Sequence, residues 1–229
     1  MKQLIASAIV LKRTNYGEAD RIIQVITPNH GKLSLMAKGV RKIKSKLAGG
    51  VELFSIIDIT YLLGKGSIER LIAARLQTHY GNIIKDLNRT NAGYEFIRIV
   101  NKITEEEVEY QWFDLLAKSF ESLDDFRINL SLIKIWFYLS VFNLTGHSPN
   151  LLKDSLGAKY EQNSLYNFDF DSMSFAPNER GKYSSNHIKV LKLANQFEPI
   201  KMVNIDGIDI LSAEALPLIQ DIAKITLDV

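Results

Sequence analysis

The spacing of apolar residues changes near residue 80, and this change constrains the fold more than any other feature of the sequence. Before it, Leu33, Leu35 and Ala37 alternate with other residues, which is the two-residue period of a strand with one buried face. After it, apolar residues recur every three or four positions, as they do along amphipathic helices. The sequence therefore predicts an α+β protein, with strands first and helices in most of the remainder.

Five segments with strand character, separated by turn residues, fill the first 80 positions. They cover residues 5–13, 21–27, 32–38, 51–61 and 67–78. The last of them also fits a helix. Pro28 and Gly31 mark a tight turn between the second and third segments. Five short antiparallel strands suggest a small closed barrel, because closure removes exposed sheet edges.

Helical periodicity follows in five segments, which cover residues 83–100, 108–123, 130–144, 188–195 and the chain from residue 212 onward. Thr104 and Glu107 have the spacing of a capping box, so Thr104 is predicted to begin the second helix. Gly146 is predicted to end the third helix, whereas Pro217 leaves the start of the last one undefined. Residues 147–186 fit neither period and are predicted to form a small irregular insert or a long loop.

The two predicted domains, residues 1–80 and 81–229, also differ in charge. Residues 1–85 contain 14 Lys or Arg against 5 Asp or Glu, a net charge of +9. Residues 86–229 have a net charge of −7, which leaves the whole chain at +2. Such an asymmetry indicates a basic module that meets a polyanion. The alternative is that the charges only keep the protein in solution.

The basic charge is concentrated in residues 38–46, where five of nine side chains are cationic. Several mobile cations on one loop suit a phosphate backbone, because binding releases its condensed counterions. Tyr16, Phe54 and Tyr61 are candidates for stacking on bases. Two arginines at the ends of neighbouring strands extend the patch. The predicted nucleic-acid-binding residues are Arg13, Arg21, Lys38, Arg41, Lys42, Lys44 and Lys46. The alternative is an ordinary solvated loop.

Patterns typical of catalytic, metal or cofactor sites are missing from the sequence. There is no cysteine, which excludes disulfides, thiolate nucleophiles and cysteine-ligated metals. The four histidines lack metal-ligand spacing, and neither a phosphate-binding glycine loop nor a Gly-x-Ser-x-Gly motif occurs. We therefore expect no enzymatic activity, no cofactor and no small-molecule substrate. A hydrolase with an unrecognised site stays as an alternative.

Membrane-targeting signals are likewise missing. The longest apolar stretch, residues 130–144, is shorter than the roughly 20 residues that cross a bilayer. The start of the chain lacks a cleavage signal in the right place. We expect a cytoplasmic protein without a membrane partner.

The first 50 residues resemble the start of the bacterial RecO recombination mediators. The matching residues keep the order and spacing of that family, and weaker similarity continues to Gly146 and Pro149. The matches are Val10 and Leu11, residues 16–22, Thr27, residues 30–32, residues 37–41, Ser45 and Leu47. The resemblance implies an N-terminal five-stranded OB-fold barrel followed by a mostly helical domain, without a catalytic site.

The resemblance also implies a function in DNA repair at the bacterial nucleoid. RecO proteins bind single- and double-stranded DNA, anneal complementary strands and help to load RecA, with RecR, the C-terminal tail of SSB and RecF as partners. In that family the basic face of the OB-fold contacts DNA, and this face corresponds here to Lys38, Arg41 and the lysines that follow. The main alternative is an adaptor whose basic loop binds RNA or an acidic protein.

Two further expectations concern the second domain. Many RecO proteins carry a four-cysteine zinc site after the Gly…Pro segment, where this chain has residues 152–157 and no cysteine. The resemblance therefore places the chain in a zinc-free branch. We expect aromatic residues to hold the insert together instead, among them Tyr160, Phe168, Phe170 and Phe175. A site for the SSB tail is a further possibility, with Arg127, Lys134, Trp136 and Phe137 as candidates. The alternative is that this segment is a packed core helix.

Overall fold

The computed structural model describes residues 2–45, 47–64, 66–104 and 110–227. The chain forms two compact units, Met1–Asp124 and Asp125–Val229. The division predicted at residues 80 and 81 falls inside the first unit, at the end of its barrel. The first unit continues past that point because two helices follow the barrel within it.

The barrel at the start of the first unit has five strands and is closed. The strands are β1 (Gln3–Tyr16), β2 (Asp20–Thr27), β3 (Gly31–Ala37), β4 (Ser55–Leu62) and β5 (Glu69–His79). Their order around the barrel is β1-β2-β3-β5-β4, with only the β3–β5 pair parallel. This is the closed five-stranded architecture of an OB-fold, so the predicted α+β fold class is confirmed. The segment that also fitted a helix is strand β5.

Inward-facing residues of every strand fill the barrel. Ala8, Val25, Leu35 and Ile57 have no exposed surface, and along β4 buried residues alternate with less buried ones. The predicted turn between β2 and β3 is closed by the Thr27 hydroxyl, which donates to the Gly31 carbonyl and accepts from the backbone N–H of His30. Alternating burial and this turn fix the register between β2 and β3.

Helices α1 (Leu87–Ile103) and α2 (Tyr110–Asp124) follow the barrel in the first unit. The Asp86 carboxylate caps α1 by accepting the backbone N–H of Arg89. Thr104, predicted to begin the next helix, lies at the end of α1, and its hydroxyl donates to the Val100 carbonyl. The residues 105–109, and with them the Glu107 half of the predicted capping box, lie outside the described residues.

Gly93 lies where α1 approaches the aromatic ring of Phe54. A Cβ at position 93 would be 2.5 Å from a ring carbon of Phe54. That ring is buried and packs edge-on against Tyr94 and Phe120, with centroids 5.2 and 5.6 Å away, so it cannot easily move. The small size of Gly93 is therefore a packing requirement.

We expect Gly93→Ala to destabilise the protein even though alanine favours helix formation. Helix propensity alone would stabilise the variant by about 1 kcal/mol, whereas overpacking against Phe54 costs about 1–3 kcal/mol. Urea unfolding of the variant should therefore have a lower midpoint than that of the wild type. Asn91→Ala, at an exposed position of the same helix, is the control and should change the midpoint little. A more stable Gly93→Ala protein would contradict this account of the packing.

The second unit is built from three helices and a small sheet. Its elements are α3 (Leu130–Thr145), β6 (Leu165–Asp169), β7 (Ser174–Pro177), β8 (Tyr183–Ser184), α4 (Ser185–Gln196) and α5 (Ile208–Leu227). Gly146 ends α3 in the left-handed conformation, as predicted. Pro217 lies inside α5, which continues through it because its buried face, including Ala215, Leu218 and Ile219, packs in the core.

The segment predicted to be irregular, residues 147–186, contains a three-stranded sheet in the order β7-β6-β8. An aromatic cluster covers it, in which Phe175 contacts the rings of Phe168, Tyr183 and Tyr160 at centroid distances of 5.1, 5.7 and 6.1 Å. Phe170 packs edge-on against Phe168 at 5.1 Å. The four aromatic residues expected to hold the insert together therefore do contact one another.

Tyr160 links this cluster to the backbone of the insert. Its hydroxyl donates to the carbonyls of Asn150 and Lys153, at 3.0 and 2.7 Å. Burial raises the pKa of the Tyr160 hydroxyl to about 12. Because an unfolded tyrosine ionises near pH 10, the folded protein retains a proton that the unfolded chain loses.

The stabilisation from Tyr160 should be complete below pH 10 and should disappear as the pH rises towards 12. We expect Tyr160→Phe to be less stable than the wild type near neutral pH by about 0.5–1.5 kcal/mol, since two carbonyls lose a donor. The difference should shrink between pH 10 and 12. Urea unfolding at several pH values checks this, and a pH-independent difference would show that the hydroxyl proton is not responsible.

Candidate nucleic-acid interface

The basic loop, residues 38–45, follows β3 at one end of the barrel and is tethered to the β1–β2 turn. The Asp20 carboxylate accepts the backbone N–H of Gly39 at 2.7 Å. The backbone N–H of Arg41 donates to the Ala19 carbonyl at 2.9 Å, and its guanidinium donates to the Gly17 carbonyl at 3.3 Å. Three bonds therefore hold the loop beside this turn.

Val40 anchors the same loop in the barrel core. Its side chain is 3% exposed and packs with the inward-facing residues of the strands, whereas the cations around it face solvent. Lys38, Arg41, Lys42 and Lys44 are all exposed. Lys46, the remaining cation predicted for this loop, lies outside the described residues. The anchoring of Val40 presents four cations together at one end of the barrel.

Arg13 and Arg21 lie near each other on β1 and β2, at the same end of the barrel. Both are on the side of the β1–β2 hairpin that carries core residues. A β-bulge between Val10 and Lys12 reverses the alternation of β1 and places Arg13 opposite the core residue Ile23. Arg21 is opposite Ala37, also a core residue. The position of Arg13 in the predicted extension of the patch therefore depends on a bulge.

Both arginines already have partners. The guanidinium of Arg13 forms a salt bridge with Glu52 at 2.8 Å, and that of Arg21 donates to the side-chain oxygen of Asn15 at 3.0 Å. Half of the Glu52 side chain is exposed, so the Arg13 charge is only partly compensated in solvent. The four loop cations, rather than these two arginines, carry most of the accessible charge.

One of the three aromatic residues considered for base stacking is available. Tyr16 is 56% exposed beside the loop, at the end of β1. Phe54 and Tyr61 are almost completely buried, so the prediction for them is wrong. Tyr61 lies at a buried position in the alternation of β4, and Phe54 packs against Tyr94 of α1. Both are features of core residues.

Residues considered for a peptide site on the second unit belong mostly to its core. Trp136 and Phe137 are buried in α3, which supports the packed-helix alternative. Arg127 forms a two-pronged salt bridge with Asp125, and this interaction raises the pKa of its guanidinium.

Sequence reasoning missed a group of polar residues on the outer side of β2 and β3. Lys12, Gln24 and Ser34 are neighbours across three strands. Lys32 is next in the outward-facing row of β3, and its ammonium group donates to the carbonyls of Asn101 and Thr104, at 2.8 and 3.4 Å. Lys32 and Ser34 alternate with Leu33 and Leu35 in the sequence. This alternation was the signal that could have identified them as outward-facing residues.

Two features absent from the described part of the chain bear on other classes of function. No group of three or more potential metal-ligating side chains is found there. No helix within the described ranges is long and apolar enough to cross a membrane.

The fold and the loop define a class: an OB-fold barrel with a tethered cationic loop, joined to helices. Residues 1–80 match the family model described as recombination protein O N terminal. The DNA repair protein RecO of Desulfatibacillum aliphaticivorans is 32% identical over 154 residues, which cover 66% of this chain and 60% of that protein. Those of Dehalococcoides mccartyi and Trichodesmium erythraeum are 30% and 34% identical over 63% and 53% of this chain.

These matches confirm the family resemblance. Residues 1–80 are similar to the N-terminal domain of RecO, and the chain as a whole is similar to the RecO DNA repair proteins. The matched region spans 60%, 56% and 42% of the length of the three relatives.

Proposed function

We propose that the first unit binds single-stranded DNA through the basic loop, as part of a non-enzymatic DNA repair mediator. The observation that carries this proposal is the set of exposed cations Lys38, Arg41, Lys42 and Lys44, held together by the tether to Asp20 and the buried Val40. Lysines and arginines on a loop neutralise phosphates without reading sequence, and such contacts set affinity rather than specificity. Tyr16 supplies an exposed ring beside them for stacking on a base.

The similarity to the RecO relatives supports a proposal for the wider activity. We infer that the protein anneals complementary strands, because neutralised backbones repel each other less. We further infer that it helps to load RecA onto SSB-coated DNA in the bacterial cytoplasm. The proposed partners are single- and double-stranded DNA, RecR, the C-terminal tail of SSB and RecF. The relatives are named DNA repair protein RecO, which supports a function in DNA repair.

An annealing assay with complementary oligonucleotides, with and without SSB, tests the proposal. The protein should accelerate annealing of naked strands and of SSB-coated strands, whereas SSB alone should slow it. Binding of single-stranded DNA and of RNA with the same base sequence should be measured alongside. Absence of annealing together with stronger binding to RNA would favour the adaptor alternative and would overturn the proposed function.

A further inference from the structure

Glu52 differs from the other acidic residues of the barrel region in the group that it contacts. Residues 1–85 contain five carboxylates. Glu18 is exposed on the β1–β2 turn. Three others accept hydrogen bonds from a backbone N–H or a serine hydroxyl: Asp20, Asp58 and Glu69. Glu52 instead contacts Arg13, a cation predicted to bind DNA, at 2.8 Å.

The antiparallel course of β1 and β4 brings Arg13 and Glu52 together. The register of these two strands ends with Ile9 opposite Ile56. Arg13 lies four residues after Ile9, and Glu52 lies four residues before Ile56. An antiparallel register continued past the strands therefore places the two side chains opposite each other. The contact follows from the topology of the barrel.

Buried neighbours on both sides hold Glu52 in place. Val51 has no exposed surface and belongs to the barrel core. Phe54 is 3% exposed and packs against aromatic rings of α1 and α2. Because the chain is anchored before and after Glu52, little conformational entropy is lost when its carboxylate meets Arg13. The carboxylate is thus presented to the guanidinium by a fixed segment.

The guanidinium of Arg13 can bind a phosphate as well as a carboxylate. Glu52 uses one of its five N–H donors, and no second partner of this guanidinium is found among the described residues. Arginine binds carboxylates and phosphates with the same hydrogen-bonding geometry. Half of the Glu52 side chain is exposed, so a ligand can reach the pair from solvent. A phosphate and the Glu52 carboxylate therefore compete for one cation.

We propose that Glu52 is an internal competitor of DNA at Arg13. In the free protein its carboxylate occupies the guanidinium, and a backbone phosphate of the bound strand displaces it. This inference rests on the proposed function and adds to it a residue that lowers affinity. The displaced carboxylate stays close to the phosphate, where like charges repel each other. The contact at Arg13 is therefore easily exchanged, which suits a mediator that has to release its strand.

The variant Glu52→Gln tests this competition, because it removes the negative charge and keeps the length of the side chain. Affinity for an oligothymidylate of twelve nucleotides should rise about fivefold at low salt, which corresponds to the upper end of the range for an exposed ion pair. The slope of log K against log salt should steepen by up to about 0.7, because Arg13 then meets a phosphate with its charge uncompensated.

A double-mutant cycle with Arg13→Gln separates the contact from a general effect of charge. In the Arg13→Gln background, Glu52→Gln should raise affinity by less than about twofold, because the cation for which it competes is missing. Glu18→Gln is the matched control, since it removes one exposed carboxylate at the same end of the barrel. Its effect should be the same with and without Arg13→Gln. Urea unfolding verifies that all the variants fold.

Two results would overturn the competition: no gain in affinity from Glu52→Gln in the wild type, or an equal gain in the two backgrounds. Replacement of the four exposed loop cations with alanine, measured with the same oligonucleotide, tests the proposed function separately. If that replacement weakens binding while the cycle shows no coupling, only the role of Glu52 fails. If it leaves binding unchanged, the proposed function itself fails.

Discussion

Replacing Phe175 with alanine should lower the free energy of unfolding of the second unit by about 3–5 kcal/mol. Phe175 has no exposed surface, and its ring contacts three other aromatic rings of the insert. Its removal leaves a cavity between β7, β6 and the Tyr160 segment that the surrounding backbone cannot easily close. Urea unfolding followed by circular dichroism measures the loss.

Phe170→Ala is the matched control within the same cluster. Phe170 contacts only Phe168 among the ring contacts described, and 40% of it is exposed. The control should therefore cost only about 1 kcal/mol. Equal losses for the two variants would contradict a structural core centred on Phe175. Because the insert is held by side-chain packing, a chelator should leave the thermal midpoint of the wild type unchanged, whereas metal-dependent units lose stability with their metal.

The barrel was predictable where its strands alternate between more and less buried residues. Residues 55–61 follow that alternation without interruption, and the turn residues Thr27 and Gly31 fall where β2 and β3 meet. The small sheet of the insert was not predictable, since β7 and β8 have four and two residues and are too short to show a period. Their pairing is accompanied by the aromatic contacts of Phe175, which join separate segments of the insert.

The candidate site was predictable only in part. The exposed cations of the loop follow from local composition, because nothing apolar except Val40 and Ile43 interrupts them. The position of Arg13 depends on a bulge in β1, and bulges leave no signature in hydrophobic spacing. Phe54 and Tyr61 were misassigned because an aromatic residue in a basic region has the same sequence signal whether it packs in the core or faces solvent. The polar group formed by Lys12, Gln24, Lys32 and Ser34 escaped notice because its residues come from three separate strands.

The largest functional effect should come from replacing Lys38, Arg41, Lys42 and Lys44 together with alanine. Each of these exposed cations can neutralise one phosphate, and counterion release makes that contact sensitive to salt. We expect single-strand affinity at moderate salt to fall on the order of a hundredfold, by a similar factor for unrelated sequences. Annealing should be lost with it. Stability should change little, because exposed cations contribute little to folding and the Val40 anchor is retained.

The control replaces four exposed lysines of the second unit with alanine: Lys153, Lys159, Lys189 and Lys201. It produces the same change in net charge, from +2 to −2, without touching the barrel. Any effect of overall charge on DNA binding should appear equally in both variants. Only the loss that exceeds the control therefore belongs to the basic loop.

The most direct test is the slope of log K against log salt for single-stranded DNA, measured on the wild type, the loop variant and the control. Single strands lose about 0.7 in slope for each phosphate contact removed. The slope of the loop variant should therefore be flatter than that of the wild type by roughly 2–3, while the control keeps the wild-type slope. A loop variant with the wild-type slope and affinity would show that the exposed cations of residues 38–44 do not bind the strand.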